Sequence, residues 1–312
     1  MKRVAISIGD LNGIGIQLAL ENHSKIASIV EPLYCIDSTM LQQAADKLNL
    51  PIPSDFQTVA NIAPRFKIEP GKVTKESGAY AYASFVKAVA LAKAKKVDAI
   101  TTLPIHKKAW ELAGVKYKGH TDALRDFFEA DAIMMLGCPQ MFVALYTEHI
   151  PLKEVAACIN EADLTRFLID LYHTAKPSTT VAVLGLNPHA GDDGVLGDEE
   201  RIIQKAIDQA NISIDPRYRL GEDTPTYSDP LVPDVAFTPN VRKHYTHYVA
   251  MYHDQGLAPL KALYFDEGIN VSLNLPILRT SVDHGTAFDI AYKGKKVNGL
   301  SYLNAVKYIV SR

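Results

Sequence analysis

The 312-residue chain is poor in several of the features that define protein classes. It has three cysteines, Cys35, Cys138 and Cys158, widely spaced and without a CxxC pair. That excludes a disulfide framework and a cysteine zinc knot, and it fits a reducing cytoplasm. No apolar run approaches the roughly 18 residues that a membrane helix needs. The opening MKRVAISIGD reaches Asp10 before a signal-peptide apolar region can form, so the expected location is cytoplasmic. No charge excess is present: 33 basic residues stand against 35 acidic ones, a net charge of −2. This balance argues against nucleic acid or an anionic membrane as the main partner. Internal repeats, low-complexity tracts and linker-like stretches are missing too.

What is present is an alternation of strand and helix. Val4–Ile8, Leu33–Ile36, Val97–Thr102, Ala132–Leu136, Phe142–Tyr146, Thr180–Leu186, Tyr248–Tyr252 and Asn270–Leu273 read as strands. Helices are expected from about Ile14, after a cap at Asp37-Ser38, over Ser77–Lys96, Glu161–Ala175, Asp198–Ala210, Asp254–Ala262 and Tyr302–Val310. Such alternation implies α/β layers around a mostly parallel sheet. In sheets of this kind ligand groups sit on loops just past strand ends. Those loops are where the chemically suggestive residues fall.

Gly13 and Gly15 lie between the first strand and its helix, but position 18 is Leu18, where a dinucleotide fingerprint needs a third glycine. A tight strand-to-helix turn is the better reading. Gly119-His120-Thr121-Asp122 either binds an anion at a helix N-terminus or simply caps that helix. Histidine is plentiful, with ten residues. His149, His189 and His253 each follow a strand. Three neutral imidazoles can hold a divalent ion and leave positions open for a substrate, although these three are too far apart for a local metal motif. His23, His173, His244 and His247 read as surface residues. Lys261, Asn270 and Arg279 near strand ends suit a phosphate or carboxylate, or are merely solvated. The polar run Arg279–Ala291, with a glycine ahead of an expected helix, could cradle a dinucleotide with its backbone.

Four segments, GHTD, NPHAG, MYHDQGLAPLK and LPILRTSVDHGTAFDIA, together resemble the 4-hydroxythreonine-4-phosphate dehydrogenase family of the vitamin B6 pathway, over essentially the whole chain. The resemblance implies an α/β fold of two α/β/α domains with mostly parallel sheets, similar to isocitrate and isopropylmalate dehydrogenases, with the active-site cleft between them. Residues 1–118 and 265–312 would form the domain with the cofactor loop, and 119–264 the domain with the metal ligands and dimer contacts. His149, His189 and His253 match the family's metal ligands, His253 reaching the site of the other subunit in a homodimer. His120 and Thr121 match substrate contacts. Lys261, Asn270 and Arg279 match the groups that hold the phosphorylated substrate. Asp283, Gly285, Thr286 and Asp289 match the NAD-binding loop, and Asn298 matches a residue that reaches the adenine.

The implied cofactors are NAD or NADP and one divalent ion per site: zinc, cobalt, manganese or magnesium. The implied reaction oxidises 4-phosphohydroxy-L-threonine at C3 and then decarboxylates it to 3-amino-2-oxopropyl phosphate, with Asp254 and Lys261 as candidates for the base. Some positions depart from the family pattern. Leu11-Asn12 and Ile16-Gln17 replace residues of its GDPxGIGPE loop, His106 and Asp122 alter PINK and GHTE, and Asn274 and Tyr292 stand where it has glycine. A dehydrogenase for another phosphorylated hydroxy acid, or a non-catalytic metal- and phosphate-binding protein, are the rival readings.

Overall fold

A computed structural model describes residues 1–60, 62–221 and 224–312. In chain order the elements are β1 (Arg3–Ser7), α1 (Gly15–Ala27), β2 (Glu31–Cys35), α2 (Ser38–Leu48), α3 (Lys75–Lys93), β3 (Ala99–Thr102), α4 (Lys107–Leu112) and α5 (His120–Phe128). Then come β4 (Ile133–Cys138), β5 (Met141–Leu145), α6 (Val155–Cys158), α7 (Glu161–Ala175), β6 (Ala182–Val183), α8 (Glu199–Ile214), α9 (Pro233–Ala236) and α10 (Pro239–Arg242). The chain closes with β7 (His247–Ala250), α11 (His253–Tyr264), β8 (Ile269–Leu273), β9 (Leu278–Val282) and α12 (Leu300–Val310). Two compact units result: Met1–Ala130 with Asp266–Arg312, and Asp131–Phe265.

The first unit carries strands in the order β2-β1-β3-β9-β8. All pair in parallel except β8, which runs antiparallel to β9. Alternate side chains serve opposite faces, as the two-residue period of a strand requires. Val4, Ile6, Ala99 and Val282 pack with α1, α2 and α12. Ala5 and Ile100 pack with Phe85, Trp110 and Leu124 of α3, α4 and α5. The result is a three-layer α/β/α unit. The second unit orders its strands β4-β5-β7-β6, with β4–β5 antiparallel and the others parallel. Its core joins Leu136, Val143, Leu145, Tyr248 and Ala250 to Leu257 and Leu260 of α11. Gly256 lets that helix lie close on the sheet, since a Cβ there would stand 2.9 Å from Ala250 Cβ. The α/β class and mostly parallel pairing expected from the alternation are therefore observed.

Four local expectations are corrected. The head of the Arg279–Ala291 run, expected to cradle a dinucleotide with its backbone, is instead part of the buried strand β9; its polar side chains find partners across the sheet, such as Thr280 Oγ1 and Thr101 Oγ1 at 3.0 Å. No helix follows the glycine of that segment, where residues 288–294 form turns. The expected Thr180–Leu186 strand shrinks to β6, since Val181 and Leu184 only bridge singly to Tyr227 and Leu231. His23 is buried rather than exposed. Its Nδ1 lies 3.0 Å from Tyr34 Oη, its Nε2 lies 3.1 Å from the Asp55 carboxylate, and its ring packs on Phe56. No helix among the described residues is long and apolar enough to cross a membrane.

Candidate active site

In the first unit, register alone gathers a polar row at the C-terminal ends of the parallel strands. Ser7 of β1 stands beside Thr102 of β3, Thr102 beside Ser281 of β9, and Ser281 beside Asn270 of β8. One pair earlier on the same face, Arg279 is opposite Ser272. Arg279 is 2% exposed. Its Nε and Nη2 donate to Thr102 Oγ1 at 3.1 and 2.7 Å, and its Nη1 donates to Ser272 Oγ at 3.1 Å. No carboxylate pairs with it among the described residues. Burial pushes its pKa down to about 9, so the guanidinium stays cationic at neutral pH. A buried cation without a counter-charge is costly. Its planar set of donors matches the oxygens of a phosphate or carboxylate.

α5 brings His120 and Thr121 to the same place. Thr121 Oγ1 lies 3.4 Å from Ser272 Oγ. His120 is wedged edge-on between Phe85 and Trp110, with ring centroids at 4.8 and 5.3 Å. Arg279 Nη2 lies 3.3 Å from His120 Nδ1. A guanidinium can only donate, so Nδ1 accepts and Nε2 carries the ring proton. Burial and the arginine charge hold this histidine's pKa well below the usual range, which keeps it neutral. Its Nε2–H is buried without a partner, as are Asn270 Oδ1, Ser7 Oγ and Trp110 Nε1. Arg279, His120, Thr121 and Asn270 are thus brought together around a buried charge. Thr102, Ser272 and Trp110 complete the cradle and were not singled out from the sequence. The i, i+2 spacing of Asn270 and Ser272 in a strand was the available signal.

The expected cofactor loop begins at Asp283, whose N–H donates to Ser301 Oγ at 3.1 Å. The loop rests on the segment after β1: Ile14 N donates to Thr286 O at 3.1 Å, and a Cβ on Gly13 would stand 2.8 Å from that oxygen. Gly13 is therefore a packing glycine of a strand-to-helix turn. Nothing lies within 4 Å of a Cβ built on Gly285, so this stretch leaves open space for a ligand. Asp289 and Asn298 are exposed. Asn298 Oδ1 accepts from Leu300 N at 3.0 Å, and the residue lines a groove of about 990 Å³ with Gln17, Glu21, Lys25, Lys295 and Leu303.

Two departures from the family pattern, Asn274 and Tyr292, have φ of 57° and 59°. This left-handed region explains a preference for glycine there. Any other residue pays roughly 1–2 kcal/mol, less for asparagine. Asp10 is fully buried, accepts from Asn12 N and Ser77 Oγ, and is pushed up to about 6 by desolvation.

In the second unit the three histidines sit at the C-terminal edge of adjacent strands. Thr147 Oγ1 donates to Met251 O at 2.6 Å, tying the end of β5 to that of β7. Gln255 accepts from Met251 N and donates to Gly185 O, both at 2.7 Å, which ties in the segment after β6. The rings of His149 and His253 are 5.5 Å apart. His253 Nδ1 lies 2.7 Å from Asp254 Oδ1. A carboxylate accepts, so Nδ1 carries a proton and the carboxylate fixes the orientation of the ring.

His189 is exposed on a left-handed turn with φ of 54°. That turn is held by Glu200, which accepts from Leu186 N and Asn187 N at 2.8 and 2.7 Å, and by Glu199, which accepts from Asn187 Nδ2 at 2.7 Å. The Asn187 hydrogen bond lowers the Glu199 pKa. His149 and His253 are neighbours, but among the described residues no three His, Cys, Asp or Glu side chains of one chain come together to hold a metal ion. Lys261 lies about two turns beyond His253 on α11.

The two units define an α/β enzyme with a buried, carboxylate-free guanidinium beside an open glycine loop in one, and neighbouring imidazoles, one of them paired with a carboxylate, in the other. A family model described as pyridoxal phosphate biosynthetic protein PdxA matches residues 28–309. The 4-hydroxythreonine-4-phosphate dehydrogenase of Sulfurimonas denitrificans is 57% identical over 309 residues, covering 99% of this chain and 97% of its own. Crystal structures of enzymes with that name are similar throughout. The one from Klebsiella pneumoniae has a TM-score of 0.80 at 29% identity, covering 99% of this chain and all of its own at 100%. The one from Burkholderia phymatum has a TM-score of 0.76 at 31% identity, covering 99% and 98%. The chain belongs to the PdxA family of pyridoxal phosphate biosynthesis and, like these relatives, is an oxidoreductase.

Proposed function

We propose that this chain oxidises 4-phosphohydroxy-L-threonine at C3 and decarboxylates the product to 3-amino-2-oxopropyl phosphate, reducing NAD+ to NADH. The observation that carries the reading is the buried, carboxylate-free Arg279 in a chain 57% identical to a relative named 4-hydroxythreonine-4-phosphate dehydrogenase. Arg279 anchors the phosphate, with Asn270 beside it. His120, fixed as its Nε2–H form, donates a hydrogen bond to the substrate and takes no proton itself. Thr121 stands with it. Binding energy from the remote phosphate then orients C3 for reaction.

NAD+ is the hydride acceptor, and Asp283, Gly285, Thr286, Asp289 and Asn298 would hold it, with NADP+ as the alternative. His149, His189 and His253 would hold one divalent ion, which supplies Lewis acidity toward the substrate oxygens; zinc, cobalt, manganese and magnesium all suit the role. Because Asp254 is committed to orienting His253, Lys261 is the better candidate to take the hydroxyl proton.

The site is read as shared in a homodimer, with His253 serving the other subunit. Exposed apolar residues follow two of the histidines, Ile150 and Leu152 after His149 and Val195 and Leu196 after His189. A second copy would cover them. The test is kcat/KM for a panel of phosphorylated hydroxy acids and for 4-hydroxy-L-threonine without its phosphate. The reading expects the phosphorylated threonine derivative to lead and loss of the phosphate to cost at least about 100-fold. Preference for another phosphorylated hydroxy acid, or indifference to the phosphate, would contradict it.

A further inference from the structure

We propose that Tyr292 is a positioning residue for the nicotinamide cofactor, a clamp that fixes the 283–293 loop to the Gly9–Gly15 turn through its hydroxyl on the Leu11 carbonyl. The inference rests on the reading of 283–289 as the cofactor loop. Tyr292 Oη donates to Leu11 O at 2.7 Å. The residue holds φ of 59°, a conformation that a tyrosine rarely adopts. Such backbone persists only where its surroundings over-determine it. The contact joins two of this chain's departures from the family pattern: a tyrosine in place of glycine reaches the carbonyl of a leucine in place of proline.

The clamp closes a ring of contacts around the back of the loop. Ile14 N donates to Thr286 O, and Gly13 packs on Thr286. Gly71 N donates to Asn12 O, and a Cβ on Gly71 would stand 2.8 Å from Phe288 O. His106, a third departure, stacks on Phe288 with ring centroids 4.9 Å apart. Thr286 and Phe288 are thereby supported from the 9–15 turn, the 69–74 segment and the segment after β3. The stretch from Tyr292 to Gly294 has no strand or helix of its own; the phenol ties it to Leu11, the ring packs on the core beside buried Ala291, and one residue further on Gln17 Nε2 donates to Lys295 O at 2.9 Å. Burial and the nearby Asp10 carboxyl push the Tyr292 pKa up, so the hydroxyl remains a donor across the working range. Without it the loop end is held by ring packing and the Gln17 contact alone, and the cofactor must restrict the remaining freedom on binding.

The test compares the wild-type protein with Tyr292→Phe, which keeps ring and backbone and removes one hydroxyl, and with Tyr292→Gly, which also removes the strain. NAD+ binding is titrated calorimetrically, hydrogen–deuterium exchange is followed over 283–293, and both Michaelis constants are measured. In Tyr292→Phe the Kd and KM for NAD+ should rise about 3- to 10-fold, the size of one lost hydrogen bond. Exchange of the free loop should quicken, while kcat and the KM for the phosphorylated substrate change less than about 2-fold. Tyr292→Gly should shift NAD+ affinity in the same direction. Unchanged NAD+ affinity and loop exchange in both variants, with NAD+ still protecting the loop of the wild type, would overturn the clamp alone. So would lowered thermal stability with neither Michaelis constant altered. Protection by NAD+ of some other segment would overturn the cofactor reading and, with it, the clamp's role.

Discussion

Replacing Arg279 by methionine separates its cost to the fold from its value to binding. Burial pulls the guanidinium pKa down to about 9, which disfavours the charged form by about 5 kcal/mol at about 1.4 kcal/mol per pH unit. Its bonds to Thr102 and Ser272 return roughly 1.5–3 kcal/mol each as charge-assisted contacts. The two sides nearly cancel, and methionine fills similar space without charge. Unfolding free energy of Arg279→Met should therefore stay within about 2 kcal/mol of wild type in denaturant titrations. Affinity for a phosphorylated substrate should behave quite differently. Removing the buried charge that faces the anion costs about 2–5 kcal/mol, which is roughly 30- to 4,000-fold in Kd. Calorimetric titration with inorganic phosphate and with the substrate reads this directly. A variant destabilised by more than about 4 kcal/mol that still binds both anions normally would show the arginine to be structural, and the reasoning would be wrong.

Other outcomes follow from the same geometry. The folded-state pKa of Asp10, about 6, lies above the unfolded value near 3.9. As pH falls from 7 to 4 the folded chain takes up the proton first, so this group adds stability toward pH 4 and loses it as pH rises through about 6, by about 3 kcal/mol in all. The stability gap between Asp10→Asn and wild type should change by that amount across pH 4–7; parallel profiles would contradict it. His189→Ala should abolish turnover and leave the circular dichroism spectrum and melting temperature essentially unchanged, and normal activity would remove His189 from the metal site. Asp254→Asn leaves His253 without its carboxylate, and metal affinity should fall about 10- to 100-fold by competition with a chelator. No change there would mean that Asp254 has another task.

Much of the layer structure was legible because strand and helix periods differ plainly. Glu161–Ala175 was legible to the residue as α7, a helix opened by Asn160 accepting from Asp163 N. β9 was not, because its arginine, threonine and serine look solvated until Thr102 and Ser272 are placed beside them. Thr102 is far from Arg279 along the chain, and no local pattern links them. His23 misled for the same reason, since its partners Tyr34 and Asp55 lie on other segments. The residues gathered around Arg279 stood out as a set only through resemblance, and their juxtaposition comes from register. Tyr292 stood out as a departure, but its bond to Leu11 spans nearly the whole chain and its left-handed backbone has no mark in the sequence.

The most direct test of the account is NADH formation at 340 nm from 4-phosphohydroxy-L-threonine and NAD+, with CO2 release measured alongside, with and without a chelator. The account predicts NADH and CO2 in equal amounts, lost on chelation and restored by a divalent ion. No NADH from the purified protein with any divalent ion, or NADH formation indifferent to the chelator, would contradict it.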